Sequence, residues 1–202
     1  ELYAMGGVPA ERTEEVMGRI GSESSRMATL VEDLLTLARL DEGRPLEITD
    51  IDLVKLADNA VFDLQALDPT RTVGLTGITG RTPPMSLIVP GDRDRLSQVF
   101  TNLIGNIVRY TPSGSPVEIA LGLSGDTAIV ELRDHGPGID ETDRGRVFER
   151  FYRADTSRNR KSGGSGLGLA IVSGILAAHR GRASLTKTKG GGLTVRIELP
   201  TA

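Results

Sequence analysis

Asn102, Asn106, Arg109 and Tyr110 are spaced by four, three and one residues, which places their side chains along one face of a helix expected from about Arg93 to Tyr110. Leu96, Phe100, Leu103, Ile104 and Ile107 hold the opposite, core-facing side. Asparagine is a mediocre helix former because its amide competes for backbone hydrogen bonds, so two of them one turn apart imply a task. An amide oxygen suits a hard cation, and the Arg109 guanidinium suits the anion that such a cation accompanies. Taken alone, the pattern also describes a solvated helix face.

Two other segments carry complementary chemistry. Asp134-His135-Gly136-Pro137-Gly138-Ile139 follows directly on a strand-like run. A carboxylate at a strand end can accept hydrogen bonds from an amine, and the two glycines let a flat ligand approach the backbone. Gly163-Gly164-Ser165-Gly166-Leu167-Gly168-Leu169-Ala170-Ile171-Val172 runs a glycine cluster into an apolar helix. Free N–H groups at such a helix start, with no Cβ in the way, form an anion site suited to phosphates. The spacing G-x-G-x-G differs from the dinucleotide fingerprint and no G-x-x-x-x-G-K-[ST] occurs, so neither a Rossmann cofactor nor a P-loop nucleotide is supported.

Composition narrows the remaining options. The 202 residues contain no Cys and two His, which excludes a disulfide scaffold, a thiol nucleophile and Cys-containing zinc sites. Any metal must be held by oxygen ligands. A net charge of −3 and a pI near 5.5, with no long basic run, argue against nucleic acid. No apolar stretch approaches the roughly 18 to 20 residues that span a bilayer. Glycine is in excess, 25 of 202 residues, or about 12 % against a usual value of roughly 7 %. The sequence opens on Glu-Leu-Tyr without an initiator Met, so it is expected to be part of a longer protein.

The elements that must position these residues follow from periodicity. Residues 11 to 40 form one long amphipathic helix, with Val16, Ile20, Met27, Leu30, Val31, Leu34, Leu37 and Ala38 recurring at three-, four- and seven-residue steps. Met5-Gly6-Gly7-Val8-Pro9 reads as a helix stop, so residues 1 to 5 are the tail of an earlier helix entering a hairpin. The apolar stripe needs a partner, either another chain or the earlier helix, with packing on the following domain as the plainer option. Asp41-Glu42-Gly43-Arg44-Pro45 breaks the helix. Beyond it, short strand-like runs at 46–51, 72–78, 86–89, 117–123, 127–133, 183–187 and 193–199 alternate with helices near 53–67, 93–110, 141–149 and 167–179. Strands outnumber crossovers and 117–133 reads as a hairpin. The fold class is therefore α+β, a two-layer sandwich with a mixed sheet.

Four motifs occur in order: Asn102-Leu103-Ile104-Gly105-Asn106 with Arg109-Tyr110; Asp134 to Ile139; Val147-Phe148-Glu149-Arg150-Phe151-Tyr152-Arg153; and Gly164-Ser165-Gly166-Leu167-Gly168-Leu169. Together they resemble the N, G1, F and G2 boxes of two-component sensor histidine kinases, whose catalytic domain has the Bergerat-type ATP-binding fold. Asp33-Leu34-Leu35-Thr36-Leu37-Ala38-Arg39-Leu40-Asp41 is similar to the end of the second helix of that family's dimerisation and phosphotransfer hairpin. The resemblance implies a partial hairpin over 1–42, a linker over 43–46 and a catalytic ATP-binding domain over 47–202.

It also implies roles. Asn106 would coordinate Mg²⁺ on the ATP phosphates with Asn102 in support, Arg109 would meet a phosphate, and Tyr110 would pack near adenine or ribose. Asp134 would accept from the adenine amine, with Gly136, Gly138 and Ile139 admitting the base. Residues from about Tyr152 to Gly164 would be a lid anchored by Phe148 and Phe151, and Arg153 would steady the transferred phosphate. Backbone around Gly164, Ser165, Gly166, Leu167, Gly168 and Leu169 would hold the phosphate chain. A cognate response regulator, a homodimer through the hairpin and a membrane-anchored whole protein with this part in the cytoplasm are further implications.

One position separates the relatives, and two departures from the family pattern accompany it. Relatives of the same fold that hydrolyse ATP place a Glu four residues before the metal-binding Asn, where this chain has Asn102. An amide cannot be a general base, so transfer to a separate acceptor is favoured over hydrolysis. The family's His-Glu-x-x-Thr-Pro acceptor motif does not occur; His135 lies in the adenine box and His179 closes a helix before Arg180-Gly181, where it reads as a cap. In the last strand, Gly192 is followed by Leu193 where the family has Ser or Thr, and Thr194 falls on the opposite strand face. Other functions on the same fold are a nucleotide-binding regulatory half of a split kinase and a serine protein kinase.

Overall fold

The computed structural model describes residues 13–80, 82–154 and 164–202. The expected helical tail at 1 to 5 and most of the expected lid, 155–163, lie outside the described residues. Twelve elements follow in order: α1 (Thr13–Asp41), β1 (Thr49–Asp52), α2 (Leu53–Leu67), β2 (Val73–Gly77), β3 (Ile88–Gly91), α3 (Arg93–Tyr110), β4 (Val117–Ser124), β5 (Thr127–Asp134), α4 (Glu141–Arg144), α5 (Gly168–Ala178), β6 (Arg182–Lys187) and β7 (Leu193–Pro200). Five strands make a sheet in the order β2-β4-β5-β7-β6, with β2 and β4 parallel and the other pairs antiparallel. Strands β1 and β3 form a separate antiparallel ribbon. The sheet is mixed and one of its faces carries the helices, the α+β sandwich expected from the alternation of strands and helices.

The core lies between that sheet face and α2, α3 and α5, and includes Leu53, Leu64, Leu96, Leu103, Ile119, Leu121, Leu132, Ile171 and Leu176, all buried. Alternation along β5 sends Ala128, Val130 and Leu132 into this layer, with Asp134 as the next inward position at the strand's end. Helix α3 starts where Asp92 caps it, its Oδ1 accepting from the backbone N–H of Asp94 and Arg95 at 3.1 Å each. The His179 ring braces that cap from the other side of the domain. Its Nε2 accepts the Asp92 N–H at 2.9 Å and its Nδ1 lies 2.8 Å from the Ile175 carbonyl oxygen, which fixes the neutral tautomer protonated on Nδ1. His179 is the C-cap of α5, as its position suggested, and it also joins two helix ends.

A second polar knot closes the far end of α3. Arg71 is 4 % exposed and donates to Thr111 Oγ1 at 2.8 Å, Ser115 O at 2.9 Å and Pro112 O at 3.1 Å, while pairing with Asp68 at 3.3 Å. Asp68 in turn accepts from the Thr70 hydroxyl, the Ser113 hydroxyl and the Gly114 N–H. These donors hold its carboxyl well below the usual carboxylate range, the Thr70 hydroxyl foremost.

Three boundaries differ from those expected. The first strand is confined to Thr49–Asp52 because Asp52 caps α2 through the Val54 N–H, and the second ribbon strand sits two residues later, at Ile88–Gly91. The helix expected over 141–149 spans only Glu141–Arg144; turns follow, linked by short-range bonds such as Arg146 N–H to Asp143 O. On α1, Thr36 and Leu37 are buried and Leu30 and Leu40 pack on the core, so the C-terminal part docks on the following domain. Met17, Ile20, Met27, Val31, Leu34 and Leu35 stay exposed. The stripe is therefore divided between intramolecular packing and an open face.

The sign of the Asp68 effect sets a pH dependence. A carboxyl with a lowered native pKa contributes stability that is complete above the unfolded value of about 3.9 and fades as pH falls toward the native value. Chemical denaturation from pH 7 to pH 2.5 is expected to show wild-type stability falling below about pH 4, and Asp68→Asn to be less stable at pH 7 with a flatter acid limb. Equal acid slopes for the two proteins would remove Asp68 from this role.

Candidate nucleotide site

One cleft of about 360 Å³ brings the three chemistry-bearing segments together. Asn102, Asn106, Arg109 and Tyr110 line it from α3; Asp134 and Ile139 from the end of β5 and the turn beyond; Gly164, Ser165, Gly166, Gly168 and Leu169 from the start of α5; and Arg153 from the strand of chain between. The helix periodicity explains the first group. With Leu96, Phe100, Leu103, Ile104 and Ile107 buried against the core, α3 has no freedom to rotate its amides away from the cleft. Gly136, Gly138, Phe148, Phe151 and Leu167, also expected at the site, do not line the cleft.

Asp134 is 8 % exposed, and its Oδ1 accepts from the Gly136 N–H at 2.9 Å and the Leu193 N–H at 3.2 Å. Two backbone donors on one oxygen orient the carboxylate and leave Oδ2 as the acceptor for a ligand. The approach of the two loops requires glycine. Gly192 has φ +103°, and a Cβ there would sit 2.0 Å from the Asp134 carbonyl oxygen. Gly138, at φ +74°, faces Gly192 across the same junction, where a Cβ would come within 3.1 Å of the Gly192 carbonyl oxygen. Gly136 takes the Thr111 methyl against its Cα, so the buried Arg71–Thr111 pair supports the turn from below.

The opposite end of the cleft is cationic and rich in backbone N–H groups. Gly164 lies beneath Arg109 and Tyr110: a Cβ at this position would be 2.9 Å from both Arg109 Nη1 and Tyr110 Oη. Helix α5 begins at Gly168 with Leu167 at its N-cap and no side-chain cap, so its first amides are open to an anion from the cleft. Leu167 itself is fully buried and anchors that helix start in the core. Phe151, at φ +62°, donates its N–H to Gly166 O at 3.0 Å, tying the segment before 155 to the segment after 163. Its ring is 60 % exposed, whereas Phe148 is half-buried and Val147 is buried. Tyr152 donates its hydroxyl to Asp143 at 2.5 Å under the Arg146 guanidinium.

Asn102 Nδ2 is buried without a hydrogen-bond partner, a donor left for an acceptor oxygen such as a phosphate's, while its Oδ1 faces Gly168 at the start of α5. Among the described residues no three His, Asp or Glu side chains converge. A cation here would therefore take amide oxygen from Asn106 and draw its other ligands from phosphates and water, the habit of Mg²⁺.

Several site residues were not singled out from the sequence. Arg26, Thr29, Leu30 and Asp33 of α1 form a wall of the cleft. Asp33 accepts from the Ser165 hydroxyl at 3.1 Å, and Arg150 donates to Asp41 at 2.6 Å. Burial pushes the Asp33 carboxyl up, opposed by the Ser165 hydroxyl. Contacts across 132 residues of chain leave no local pattern. Gly192 did have a signal, the run Gly190-Gly191-Gly192 before a strand.

Comparison with known proteins agrees with this geometry. The profile of the "Histidine kinase-, DNA gyrase B-, and HSP90-like ATPase" family matches residues 91–202. The chain is 42 % identical over 190 residues to the probable sensor histidine kinase TcrY of Mycobacterium tuberculosis, covering 94 % of this chain and 39 % of that protein. It is 37 % identical over 201 residues to the signal transduction histidine-protein kinase BaeS of Escherichia coli, covering 99 % and 42 %. The chain thus spans about two fifths of the length of these relatives. Among solved structures, the mycobacterial sensor histidine kinase MprB superposes with a TM-score of 0.66 at 27 % identity over 75 % of this chain and 97 % of that one. Full-length ShkA in complex with AMPPNP gives 0.77 at 26 % identity over 96 % and 40 %. The chain belongs to the histidine kinase-, DNA gyrase B- and HSP90-like ATPase family, and within it to the catalytic domains of two-component sensor histidine kinases.

Proposed function

We propose that this chain is the catalytic core of a sensor kinase that binds ATP with Mg²⁺ and passes the γ-phosphoryl group to a histidine on a dimerising helical hairpin, for onward transfer to a response regulator. The observation that carries the reading is the convergence of Asn102 and Asn106, Asp134 and the Gly164–Gly168 backbone on one cleft. It offers an acceptor for a base amine at one end and a cation-and-amide cradle for phosphates at the other. Phosphoryl transfer asks chiefly for positioning and charge neutralisation, and these groups supply both. Mg²⁺, when bound, neutralises charge building on the phosphate oxygens.

The residues divide that work. Asp134 Oδ2 orients the base, while Asn106 holds the cation, with Asn102 beside it. Arg109 and the first amides of α5 hold phosphate oxygens, and Arg153 steadies the group in transfer. Leu167 and Leu169 keep the helix start in register. No carboxylate stands at position 102 to deprotonate water, which favours transfer over hydrolysis. Neither histidine of the chain suits the acceptor role. His179 is 5 % exposed with both ring nitrogens engaged, and His135 faces Glu118 at 3.7 Å on the outer side of β4.

The division at 1–42, 43–46 and 47–202 belongs to the same reading, as does pairing with a second copy through the exposed face of α1. Met17, Ile20, Met27, Val31, Leu34 and Leu35 are the apolar groups available for it. Among the described residues no helix is long and apolar enough to cross a membrane; a membrane anchor would lie in other parts of the protein, with this part in the cytoplasm.

Titration calorimetry with ATP and Mg²⁺ is expected to detect binding that Asn106→Ala weakens at least tenfold, with the melting temperature moved by less than about 2 °C because Asn106 faces the cleft. Unchanged affinity in that variant would overturn the assignment of the cation site. Mixing the chain with a hairpin that carries an acceptor histidine is expected to yield acid-labile, base-stable phosphate on the hairpin. Acid-stable phosphate would instead identify a serine kinase.

A further inference from the structure

Polar groups are distributed unevenly along the cleft. Arg109 and Tyr110 lie at Gly164, and Asn102 lies at Gly168 beside the open amides of α5. Around Asp134 the walls are Leu132, Pro137, Ile139, Leu193 and Val195. Leu132 and Val195 are register partners on β5 and β7, and the Leu193 N–H holds Asp134 Oδ1, so these side chains bracket the carboxylate.

The hydroxyls near this end are committed elsewhere. Thr111 Oγ1 donates to Ile107 O at 2.7 Å and accepts from Arg71 at 2.8 Å. Thr194, one residue beyond Leu193, is buried on the other face of β7, its hydroxyl 2.9 Å from that of Thr188. Tyr152 Oη is bonded to Asp143. With these hydroxyls committed, Asp134 Oδ2 is the oxygen left beside Leu132, Ile139 and Leu193 to meet a base, and a carboxylate only accepts.

We propose that Leu193 is a specificity-determining residue, making this a base site read through a single donated hydrogen bond. The nucleotide is selected by an exocyclic amine donating to Asp134 Oδ2 and by the fit of a flat ring between apolar side chains, while an acceptor nitrogen in the ring beside that amine goes unread. The physical reason is asymmetric. A site built around a polar group rejects strongly any ligand that fails to satisfy it, because the buried group is then left unpaired. An apolar wall makes no such demand, and a ring C–H suits Leu193 as well as a ring nitrogen does. The inference deepens the nucleotide-site reading and rests on it.

The test is titration of the chain with ADP and two analogues in the presence of Mg²⁺. In 1-deaza-ADP a C–H replaces ring nitrogen 1 and the amine is kept; in purine riboside diphosphate the amine is lost and the nitrogen kept. The first is expected to bind within threefold of ADP and the second at least tenfold more weakly. Leu193→Thr places a hydroxyl on the same wall and is expected to separate ADP from 1-deaza-ADP by threefold or more. A tenfold or greater loss for 1-deaza-ADP with the unaltered chain overturns the proposal, as does a Leu193→Thr protein that treats the two ligands alike. Failure of ADP itself to bind overturns the nucleotide-site reading instead.

Discussion

The side chains that α3 presents to the cleft depend on the rotation of that helix about its own axis. That rotation is fixed by burial: six of its side chains, Leu96, Val99, Phe100, Leu103, Ile104 and Ile107, are 6 % exposed or less. Burying an aliphatic or aromatic side chain of this size is worth about 1.5 to 3 kcal/mol, so turning the helix by one position costs far more than any single polar contact could return. Asn102 and Asn106 face the cleft because the other side of the helix has no alternative but the core. The two ends are fixed as firmly, by the Asp92 cap with His179 behind it and by the Arg71 knot around Thr111. Local helix propensity contributes little; the asparagines are held against it.

The Asp134 end of the cleft is built on a different constraint, backbone against backbone. Gly138 and Gly192 let the turn after β5 and the turn before β7 approach so closely that one amide, Leu193 N–H, can orient the Asp134 carboxylate. Because the neighbouring strands are hydrogen-bonded up to Arg133↔Thr194, the sheet supplies the stiffness and the glycines supply the space. The same register places Thr194 on the far face and Leu193 on the cleft. The side-chain chemistry beside Asp134 is therefore decided by strand parity, one residue either way.

Much of this was legible in the sequence because it is local. The spacing of Asn102, Asn106 and Arg109 against five apolar positions described α3 and its two faces, and the parity of Thr194 was evident from the strand pattern alone. The segment 141–149 ends its helix at Arg144 because Gly145 follows and only Val147 and Phe148 are apolar, too few to carry a helical face. The wall contributed by α1 was invisible for another reason. Asp33 and Asp41 look like ordinary members of a solvated helix face, and their partners Ser165 and Arg150 are more than a hundred residues away.

That wall bears on how the site could be used. Helix α1 touches both sides of the undescribed segment 155–163, at Arg150 before it and Ser165 after it. The Asp41–Arg150 pair is solvent-exposed and screened by salt, while burial pushes the Asp33 carboxyl up and the Ser165 hydroxyl opposes that push. Apolar docking by Leu37 and Leu40 is stronger but confined to one end of the helix. A helix held this way carries the Asp33 carboxylate to the Ser165 side of the cleft. At the cleft wall the Asp33 carboxylate faces the same space as the Arg109 guanidinium, whose charge opposes the upward push that burial gives Asp33.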